Sequence, residues 1–327
     1  MIDFRKIGLG YHNVILQHNK GIVKSRSQCD TSVEVGGITL ESPIFLSNME
    51  YLQRPNPAIL ETFNKRKWGY IYHRLGGKDD IYNFTLKINE ENWHFKSISI
   101  GMSDDDRVLL ADIKNDDFEL DCLTIDLAFC YNEFALDFIK YVRQEFPNVY
   151  LIAGNFDSPW AAIELEKIGV NCGKIGIGTS KLCKTRQRIG VATSMISDLI
   201  KCNENTSKLH YMADGGLQTL EDGEVAVGDC WKALNFGAKM ILSSALFKKV
   251  KELSDKDGKI HCYGNSTARA KGYNRHDEGT EILETASEKA LEEQMDFILD
   301  SCRSFCSYAG INKISDAYQS CDYKIVI

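Results

Sequence analysis

The feature of this sequence that most constrains its fold is a series of eight short apolar runs that begin 24 to 36 residues apart. The stretches between most of them are amphipathic, as in residues 132–146 and 159–169, where apolar side chains recur at helical spacing. Strands that alternate with helices at this interval are typical of βαβ units in a parallel sheet. We predict strands at Pro43–Ser47, Trp68–Tyr72, Lys96–Ile100, Cys122–Asp126, Val149–Ala153, Gly173–Ile177, Leu209–Ala213 and Lys239–Ser243.

Eight repeats of this size favour an α/β fold of the TIM type, a single closed (β/α)8 barrel that occupies residues 1–327 as one domain. The run VYLIA at 149–153 is apolar throughout, as expected for a strand whose two faces are both covered. An open, doubly wound sheet built from the same repeats is the alternative.

The charge balance argues against a broad surface for nucleic acids or anionic membranes. The chain has 39 basic and 46 acidic residues and a net charge of −7, whereas such surfaces need clustered Lys and Arg. No run approaches the roughly 20 apolar residues of a membrane span, and the first residues, MIDFRK, do not resemble a secretory signal. The 11 cysteines lack C-x-x-C spacing, which indicates reduced thiols. We therefore expect a cytoplasmic protein.

Polar residues lie where the predicted strands end. The first strand ends at Ser47, with Met49 two residues on, the fourth ends at Asp126, and Asn155 follows the fifth. The polar segment 178–183 follows the sixth strand. Because barrel enzymes build their active sites at the carboxyl ends of the strands, we expect the active site among these residues.

Cys183 is the strongest candidate for a catalytic nucleophile. It follows Lys181 and precedes Lys184 and Arg186, and nearby cations favour the reactive thiolate. Thr185 lies two residues on and could hold or relay a proton. The alternative is that Cys183 is one more buried thiol.

Two further strand ends suit a nucleotide. Asp214 could accept hydrogen bonds from a ribose diol, and the amides of Gly215 and Gly216 could approach a phosphate. Ser243 and Ser244 offer hydroxyls and amides before a predicted helix. The alternatives are structural, a turn at the glycines and a helix N-cap at the serines.

The polar segment 263–284 is long for a barrel loop, and long loops often act as lids. We predict a mobile flap at about 265–284, near the C-terminal end, in which Glu278 is an acid or base or is simply solvated. Charge pairs and amphipathicity predict a helix over Glu281–Arg303, and the charge run Asp104–Asp106 predicts a solvated loop.

These segments together resemble the IMP dehydrogenase and GMP reductase family of (β/α)8 purine-nucleotide oxidoreductases. The resemblance covers most of the chain, and its short motifs follow the order of the family. They are KSRSQCD (24–30), SNM (47–49), TIDLAF (124–129), IAGN (152–155), GIG, CKTR and GV (within 176–191), ADGG (213–216), YG-x-S (263–266), DEG (277–279) and CRSFCSYAG (302–310).

Within that family the chain is more similar to the reductases. Family dehydrogenases usually have a CBS-domain pair inserted after the second strand, and about 24 residues separate the second and third strands here. Their flap also has an Arg-Tyr pair well before the Glu-Gly, whereas this shorter segment has Tyr273 and Arg275 close by.

The resemblance implies that Cys183 attacks the purine C2, that ammonia leaves, and that NADPH delivers a hydride, so that GMP becomes IMP. Thr185 and Glu278 match the residues that manage the protons of the leaving amine. Further matches fall into three groups. The substrate group comprises Asp214 for the ribose diol, Gly216, Ser244 and Tyr263 for the phosphate, and Ser47, Met49, Lys181, Arg186, Gly215, Ser243, Gly264, Asn265 and Ser266 around them. The cofactor group comprises Asp126, Ala128, Asn155 and Gly178, and a potassium ion is implied at Gly176, Gly178 and Cys183, with no other metal.

The chain departs from the family at the loops that face the substrate. The phosphate loop usually reads G-P-G-S and reads Thr179-Ser180-Lys181 here, which replaces a glycine and adds a cation. A glycine pair is replaced by Ser243-Ser244, a base-contacting methionine by Asn265, and the first threonine of Cys-Thr-Thr by Lys184.

Three hypotheses follow. The first is a GMP reductase-like enzyme that binds a purine nucleoside monophosphate, forms a homo-oligomer (a tetramer by resemblance), and binds neither nucleic acid nor membrane. The second keeps the chemistry but changes the substrate to a deoxy or modified purine nucleotide, or replaces the reaction by an IMP dehydrogenase-type oxidation. The third is a non-catalytic purine-nucleotide-binding homologue.

Overall fold

The computed structural model describes residues 7–221, 223–271 and 279–326. Within these ranges the strands are β1 (Val14–Leu16), β2 (Val33–Val35), β3 (Ile38–Leu40), β4 (Ile44–Leu46), β5 (Ser97–Ile100), β6 (Cys122–Asp126), β7 (Tyr150–Phe156), β8 (Cys172–Ile175), β9 (His210–Asp214), β10 (Met240–Ser243), β11 (Lys259–Tyr263), β12 (Glu281–Thr285) and β13 (Tyr323–Ile325). The α-helices are α1 (Glu50–Gln53), α2 (Ala58–Lys65), α3 (Gly77–Glu90), α4 (Asp104–Asn115), α5 (Glu133–Glu145), α6 (Pro159–Ile168), α7 (Thr185–Ile189), α8 (Met195–Asn205), α9 (Gly228–Asn235), α10 (Ala268–Lys271) and α11 (Leu291–Ala309).

The centre of the fold is a parallel sheet of seven strands in the order β4-β10-β9-β8-β7-β6-β5. Seven of the eight predicted strands belong to it. The eighth, predicted at Trp68–Tyr72, makes isolated parallel bridges instead, from Tyr70 to Leu46 and from Tyr72 to Ile98. Residues of this segment therefore contact both edge strands, β4 and β5.

The helices predicted over 132–146 and 159–169 are confirmed as α5 and α6. The side chain of Asn132 accepts a hydrogen bond from the Ala135 amide at 3.0 Å, which caps α5. Pro159 occupies the first turn of α6, and Gly169 ends this helix with a φ of 90°, a left-handed conformation that favours glycine. Local sequence chemistry thus fixes where these helices begin and end.

Three local predictions were wrong, and each error has a physical reason. The helix predicted over Glu281–Arg303 is confirmed only from Leu291, where α11 begins. Residues 281–285 form β12 instead, paired antiparallel with β11, and their side chains alternate between more and less exposed positions with a period of two rather than a helical period. The charge run Asp104–Asp106 is the first turn of α4, where Ser103 and Asp106 form a capping box and carboxylates are favoured by the helix dipole. Residues 245–249 are turns rather than a helix after the two serines.

Three small antiparallel pairs, β1 with β13, β2 with β3 and β11 with β12, lie outside the main sheet. The core is continuous across the strands and the helices around them, and its largest fully buried side chains include Trp68, Tyr70 and Phe45. In the described part of the chain, no helix combines the length and the apolar character needed to cross a membrane.

Candidate active site

The ends of β7, β8 and β9 bring three separate predicted segments together. The side-chain amide of Asn155 donates to Asp214 Oδ2 at 2.9 Å and to the Gly176 carbonyl at 2.6 Å. The hydroxyl of Thr179 donates to the Asp214 carbonyl at 2.8 Å. The predicted convergence of polar residues at the carboxyl ends of the strands is therefore present in the structure.

Cys183 lies in the loop between β8 and α7, with its sulfur 3.1 Å from the hydroxyl of Thr185. Ten of the 11 cysteines are buried, and Cys183 is the one that is partly exposed, so the buried-thiol alternative does not describe it. Its backbone forms an antiparallel bridge with Gly279. Glu278 lies outside the described residues, as do Tyr273 and Arg275.

A group of buried charges lies directly beside this loop, and its central member, Lys174, was missed by sequence reasoning. Lys174 is in β8 with 2% of its side chain exposed, and its Nζ lies 2.7 Å from Asp126 Oδ1 and 3.0 Å from Asp214 Oδ2. Arg74, two residues beyond the Tyr72 bridge, contacts Asp126 Oδ2 at 3.3 Å. Two cations and two carboxylates thus form one network at the strand ends.

The network keeps Asp126 and Lys174 charged. Burial alone would raise the pKa of Asp126, but the charges of Lys174 and Arg74 outweigh it and lower the pKa to about 2. Burial alone would lower the pKa of Lys174, and the carboxylates of Asp126 and Asp214 raise it above its usual value. Asp126 is consequently ionised, and each of its two carboxylate oxygens accepts a hydrogen bond from a side chain of the protein.

A signal for Lys174 was present in the sequence. It interrupts an apolar predicted strand, and a lysine inside a strand covered on both faces is rare unless it is paired. Gly154 on the neighbouring strand is the matching feature, because a Cβ there would lie 2.5 Å from Lys174 Cβ. A buried charge between two predicted strand-end aspartates could have been read as their shared partner.

The residues predicted at the phosphate divide into two groups. The Gly215 amide donates to the Leu242 carbonyl at 3.1 Å, and the Ser243 hydroxyl accepts from the Leu246 amide at 3.3 Å. The Gly215 amide and the Ser243 hydroxyl therefore already have partners in the fold. Gly216 has a φ of 78° and, with Ser244, is partly exposed, while Lys181 and Arg186 are exposed.

Further cations lie near Lys181. Lys248 forms an ion pair with Glu284, and Lys249 Nζ lies 3.9 Å from the same carboxylate. Burial raises the pKa of Glu284, but the positive charges of Lys248, Lys249 and Lys181 together lower it below its usual value. The acidic chain thus has a local group of three cations on this side of the site.

The segment 263–266 packs against the end of β4. The Asn265 side-chain amide donates to the Asn48 carbonyl at 3.0 Å, and its buried Oδ1 has no partner among the described residues. Tyr263 is buried, with its hydroxyl 3.4 Å from Glu50 Oε2, and burial raises the pKa of this phenol. Gly264 donates its amide to the Thr280 carbonyl at 3.3 Å, which connects this segment to the chain just after Gly279.

The remaining predicted residues follow strands in sequence: Ser47 and Met49 follow β4, Ala128 follows β6, Gly178 follows β8 and Ser266 follows β11. Ser47 is buried and donates its amide to the Ser243 carbonyl at 3.4 Å, Met49 and Ser266 are partly exposed, and Ala128 is exposed after β6. Gly178 has a φ of 65°. Among the described residues, Ala128 and Ser266 form no hydrogen bond or ion pair with another predicted site residue, and the roles of both stay predictions.

Chemically, the arrangement combines a partly exposed thiol, an adjacent hydroxyl and the Asp214 carboxyl group, one oxygen of which is engaged by the protein. Asn155 Oδ1 is buried without a partner among the described residues, and so could accept an N–H from a ligand. These groups suit covalent attack on a polar heterocycle more than metal chemistry.

Comparison with known proteins agrees with this arrangement. Residues 87–279 match the family model described as the IMP dehydrogenase / GMP reductase domain. The chain is 31% identical over 324 residues to a protein named GMP reductase from Bacillus licheniformis, covering 97% of this chain and 95% of the relative. It is 31% identical over 325 residues to the GMP reductase of Streptococcus agalactiae serotype V (97% and 94%) and 30% identical over 324 residues to that of Bacillus subtilis (97% and 95%). The chain therefore belongs to the IMP dehydrogenase and GMP reductase family.

Proposed function

We propose that this protein is an oxidoreductase of the GMP reductase type, which converts GMP to IMP and ammonia with NADPH as reductant. The observation that supports this most is the Cys183–Thr185 pair, with sulfur and hydroxyl 3.1 Å apart, in the one loop that presents a partly exposed thiol. The similarity over nearly the whole chain to proteins named GMP reductase supports the choice of substrate.

We also propose that the sheet closes into an eight-stranded (β/α)8 barrel that forms one domain over 1–327. The support is the pair of parallel bridges from Tyr70 and Tyr72 to the two edge strands, at Leu46 and Ile98. The flap at about 265–284 would then lie over the barrel mouth. Its end at 281–284 belongs to β12, and the Cys183–Gly279 bridge connects the flap to the catalytic loop.

In the proposed reaction the Cys183 thiolate attacks C2 of the purine. The C2–N bond then breaks and the amine leaves as ammonia after accepting protons, in which Thr185 and Glu278 take part. A hydride added to C2 and cleavage of the C–S bond release IMP and restore the thiolate. The overall change is GMP, NADPH and two protons to IMP, NADP⁺ and an ammonium ion, so that atoms and charge balance.

The binding roles rest on the family resemblance and on which groups already have partners in the fold. Asp214 would hold the ribose diol, and Gly216, Ser244, Tyr263 and Lys181 would surround the phosphate. Gly215 and Ser243 would support this loop rather than donate from the groups that are already engaged. Lys181 would supply charge where the family uses a glycine-rich loop.

NADPH would supply the hydride. The buried, unpartnered Asn155 Oδ1 fits an amide N–H such as the one on a nicotinamide, and Asp126, Ala128 and Gly178 would line the same side. Because both oxygens of Asp126 already accept hydrogen bonds, we expect it to shape this side through Lys174 and Arg74. A potassium ion at Gly176, Gly178 and Cys183 stays a prediction; the Gly176 carbonyl already accepts from Asn155 at 2.6 Å and keeps one lone pair for a cation.

A modified purine nucleotide is the second candidate substrate, and Asn265 is the observation that favours it. Its amide orientation is set by donation to the Asn48 carbonyl, which leaves Oδ1 as a buried acceptor. A base with an N–H donor facing this atom would be preferred, and one with a carbonyl there would be disfavoured. A deoxynucleotide, by contrast, would be distinguished at Asp214. We further propose a cytoplasmic homo-oligomer, a tetramer by resemblance.

The test is NADPH consumption at 340 nm and ammonia release with GMP, dGMP and IMP plus NADP⁺, for the native protein and Cys183→Ala. We expect GMP-dependent turnover in the native protein and none in Cys183→Ala. Cys321→Ala, a change at another cysteine near the surface (8% exposed), is the matched control and should keep full turnover. Undiminished turnover in Cys183→Ala would refute the mechanism, and nucleotide binding without turnover in the native protein would favour the non-catalytic homologue.

A further inference from the structure

Lys174 has two acidic partners on different strands, and neither is adjacent to it in sequence. Its Nζ lies 2.7 Å from Asp126 Oδ1 on β6 and 3.0 Å from Asp214 Oδ2 on β9, with only 2% of its side chain exposed. An ammonium group has three N–H donors, so two of them are used by carboxylates from either side of β8. A lysine this deeply buried is costly unless its charge is balanced, which ties its position to both carboxylates.

The two oxygens of Asp214 have different surroundings. Oδ2 accepts from both Lys174 and the Asn155 amide, at 3.0 and 2.9 Å. Oδ1 accepts from no donor among the described residues, and 22% of the side chain is exposed. Lys174 and Asn155 therefore fix one oxygen towards the interior and leave the other available to a ligand.

We propose that Lys174 is a positioning residue, which orients Asp214 for the ribose of the nucleotide and connects it to Asp126 on the cofactor side. The roles of the two aspartates rest on the proposed function. The orientation itself rests on the contacts, and on Gly154, where a side chain would meet Lys174 Cβ at 2.5 Å. Lys174 touches neither ligand and acts through the carboxylates.

The formal charges of the group show how positioning of Asp214 by Lys174 can be distinguished from charge balance alone. Arg74, Lys174, Asp126 and Asp214 sum to zero, and removing Lys174 leaves two carboxylates within about 6 Å of each other and one cation. Like charges at this separation raise the pKa of one carboxyl. Among the described residues, Cys130 lies near Lys174 and Tyr11 near Asp214, and burial raises the pKa of both, to about 12 for Cys130, so they stay neutral. The Asp106 carboxylate lies on the Gly101 side of Arg74, since both side chains are within 3.5 Å of the position that a Cβ on Gly101 would take.

The experiment compares Lys174→Met, Lys174→Arg, Asp126→Asn and the double variant Lys174→Met with Asp126→Asn. The double variant again balances charge, because one cation, Arg74, and one carboxylate, Asp214, remain in the group. GMP affinity is measured by calorimetry without cofactor, and the midpoint of urea unfolding is measured from pH 5 to 8. If Lys174→Met does not fold, the double variant still separates charge balance from positioning.

We expect the urea midpoint of Lys174→Met to fall as pH rises, because a carboxyl whose folded pKa is raised stabilises only while it is protonated. The double variant should lose this pH dependence and still bind GMP at least about tenfold more weakly than the native protein. Lys174→Arg should recover part of the affinity, and Asp126→Asn should still bind GMP.

Native GMP affinity in the double variant would overturn the proposal, because Lys174 would then only balance charge. Failure of the native protein to bind GMP would be a failure of the proposed function instead. In that case a crystal structure of the double variant tests directly whether Lys174 positions the Asp214 carboxylate. A displaced Asp214 carboxylate would support positioning, and an unmoved one would overturn it.

Discussion

Replacing Gly154 with alanine tests the close packing between β7 and β8 that gives Lys174 its place. An added Cβ would lie 2.5 Å from both Lys174 Cβ and the Lys174 carbonyl oxygen, and 3.1 Å from Lys174 Cα. Non-bonded carbon atoms pack best at about 3.5–4.0 Å. Because the atoms encountered are backbone and Cβ atoms, no change of rotamer relieves the contact, and the two strands must move apart.

The expected cost follows from that displacement. Inserting a methyl group into a packed interior typically costs about 1–3 kcal/mol, and each weakened ladder hydrogen bond adds about 1 kcal/mol. We expect Gly154→Ala to lower the free energy of unfolding by about 3 kcal/mol or more. Urea unfolding followed by tryptophan fluorescence and circular dichroism measures this change.

Gly228→Ala is the matched control, because a Cβ at this first residue of α9 meets nothing within 4 Å. Alanine is the better helix former by about 1 kcal/mol, so this variant should be as stable as the native protein or slightly more so. If Gly154→Ala unfolds at the same urea concentration as Gly228→Ala, the packing argument for Lys174 is wrong.

Three further predictions concern the site. Thr185→Val removes the hydroxyl 3.1 Å from the Cys183 sulfur and should lower kcat by about 100-fold with little change in nucleotide affinity; an unchanged kcat would remove Thr185 from proton transfer. Lys181→Gln should weaken GMP binding by about tenfold and reduce its salt dependence, measured by calorimetry at two salt concentrations; unaltered binding would mean that the phosphate does not contact this cation. The pKa of Asp126, lowered to about 2 by Lys174 and Arg74 despite burial, implies stability that is present above the unfolded value near 4 and is lost as pH falls through 2. In Asp126→Asn, the free energy of unfolding should therefore fall by about 2 kcal/mol less than in the native protein over this pH range. Urea unfolding at a series of acidic pH values measures this, and an equal fall in both proteins would contradict the prediction.

Much of the fold was predictable because the strands are short apolar runs bounded by polar residues. β6 begins and ends at the predicted residues, and β4, β5, β9 and β10 differ from prediction by one residue at one or both ends. A strand covered on both faces leaves a continuous apolar signal, and its carboxyl end is marked by the first polar residue of the loop. This is why Asp126 and Asp214 were correctly expected at or next to strand ends and Cys183 in the loop after a strand, while their roles stay predictions.

The errors occurred where two patterns compete. Residues 281–285 contain charges at helical spacing, but their pairing with β11 decides the conformation, and that partner is not visible from local periodicity. At 104–106 the charge run was read as a loop although Ser103 and Asp106 form a capping box. The capping box alone is therefore sufficient to predict that a helix begins after Ser103, and the prediction of a solvated loop was wrong.

The internal partners of the site residues were the least predictable part. The sequence shows that Gly215 and Ser243 follow strands, but it does not show that the fold itself uses the amide of one and the hydroxyl of the other. Lys174 was missed because it was treated as part of a strand rather than as a charge that needs partners. Contacts that join residues 40 or more apart in sequence depend on the order of the strands in the sheet, in which β6, β8 and β9 lie close together.

The central claim is that Cys183 forms a covalent bond with the purine during turnover. Its most direct test is acid quenching of the native protein during steady-state reaction with GMP and NADPH, followed by mass spectrometry of the peptides. The account predicts a peptide containing Cys183 that has gained the mass of GMP less that of ammonia, and no such species in Cys183→Ala. An adduct on another cysteine, or sustained turnover by Cys183→Ala, would contradict it.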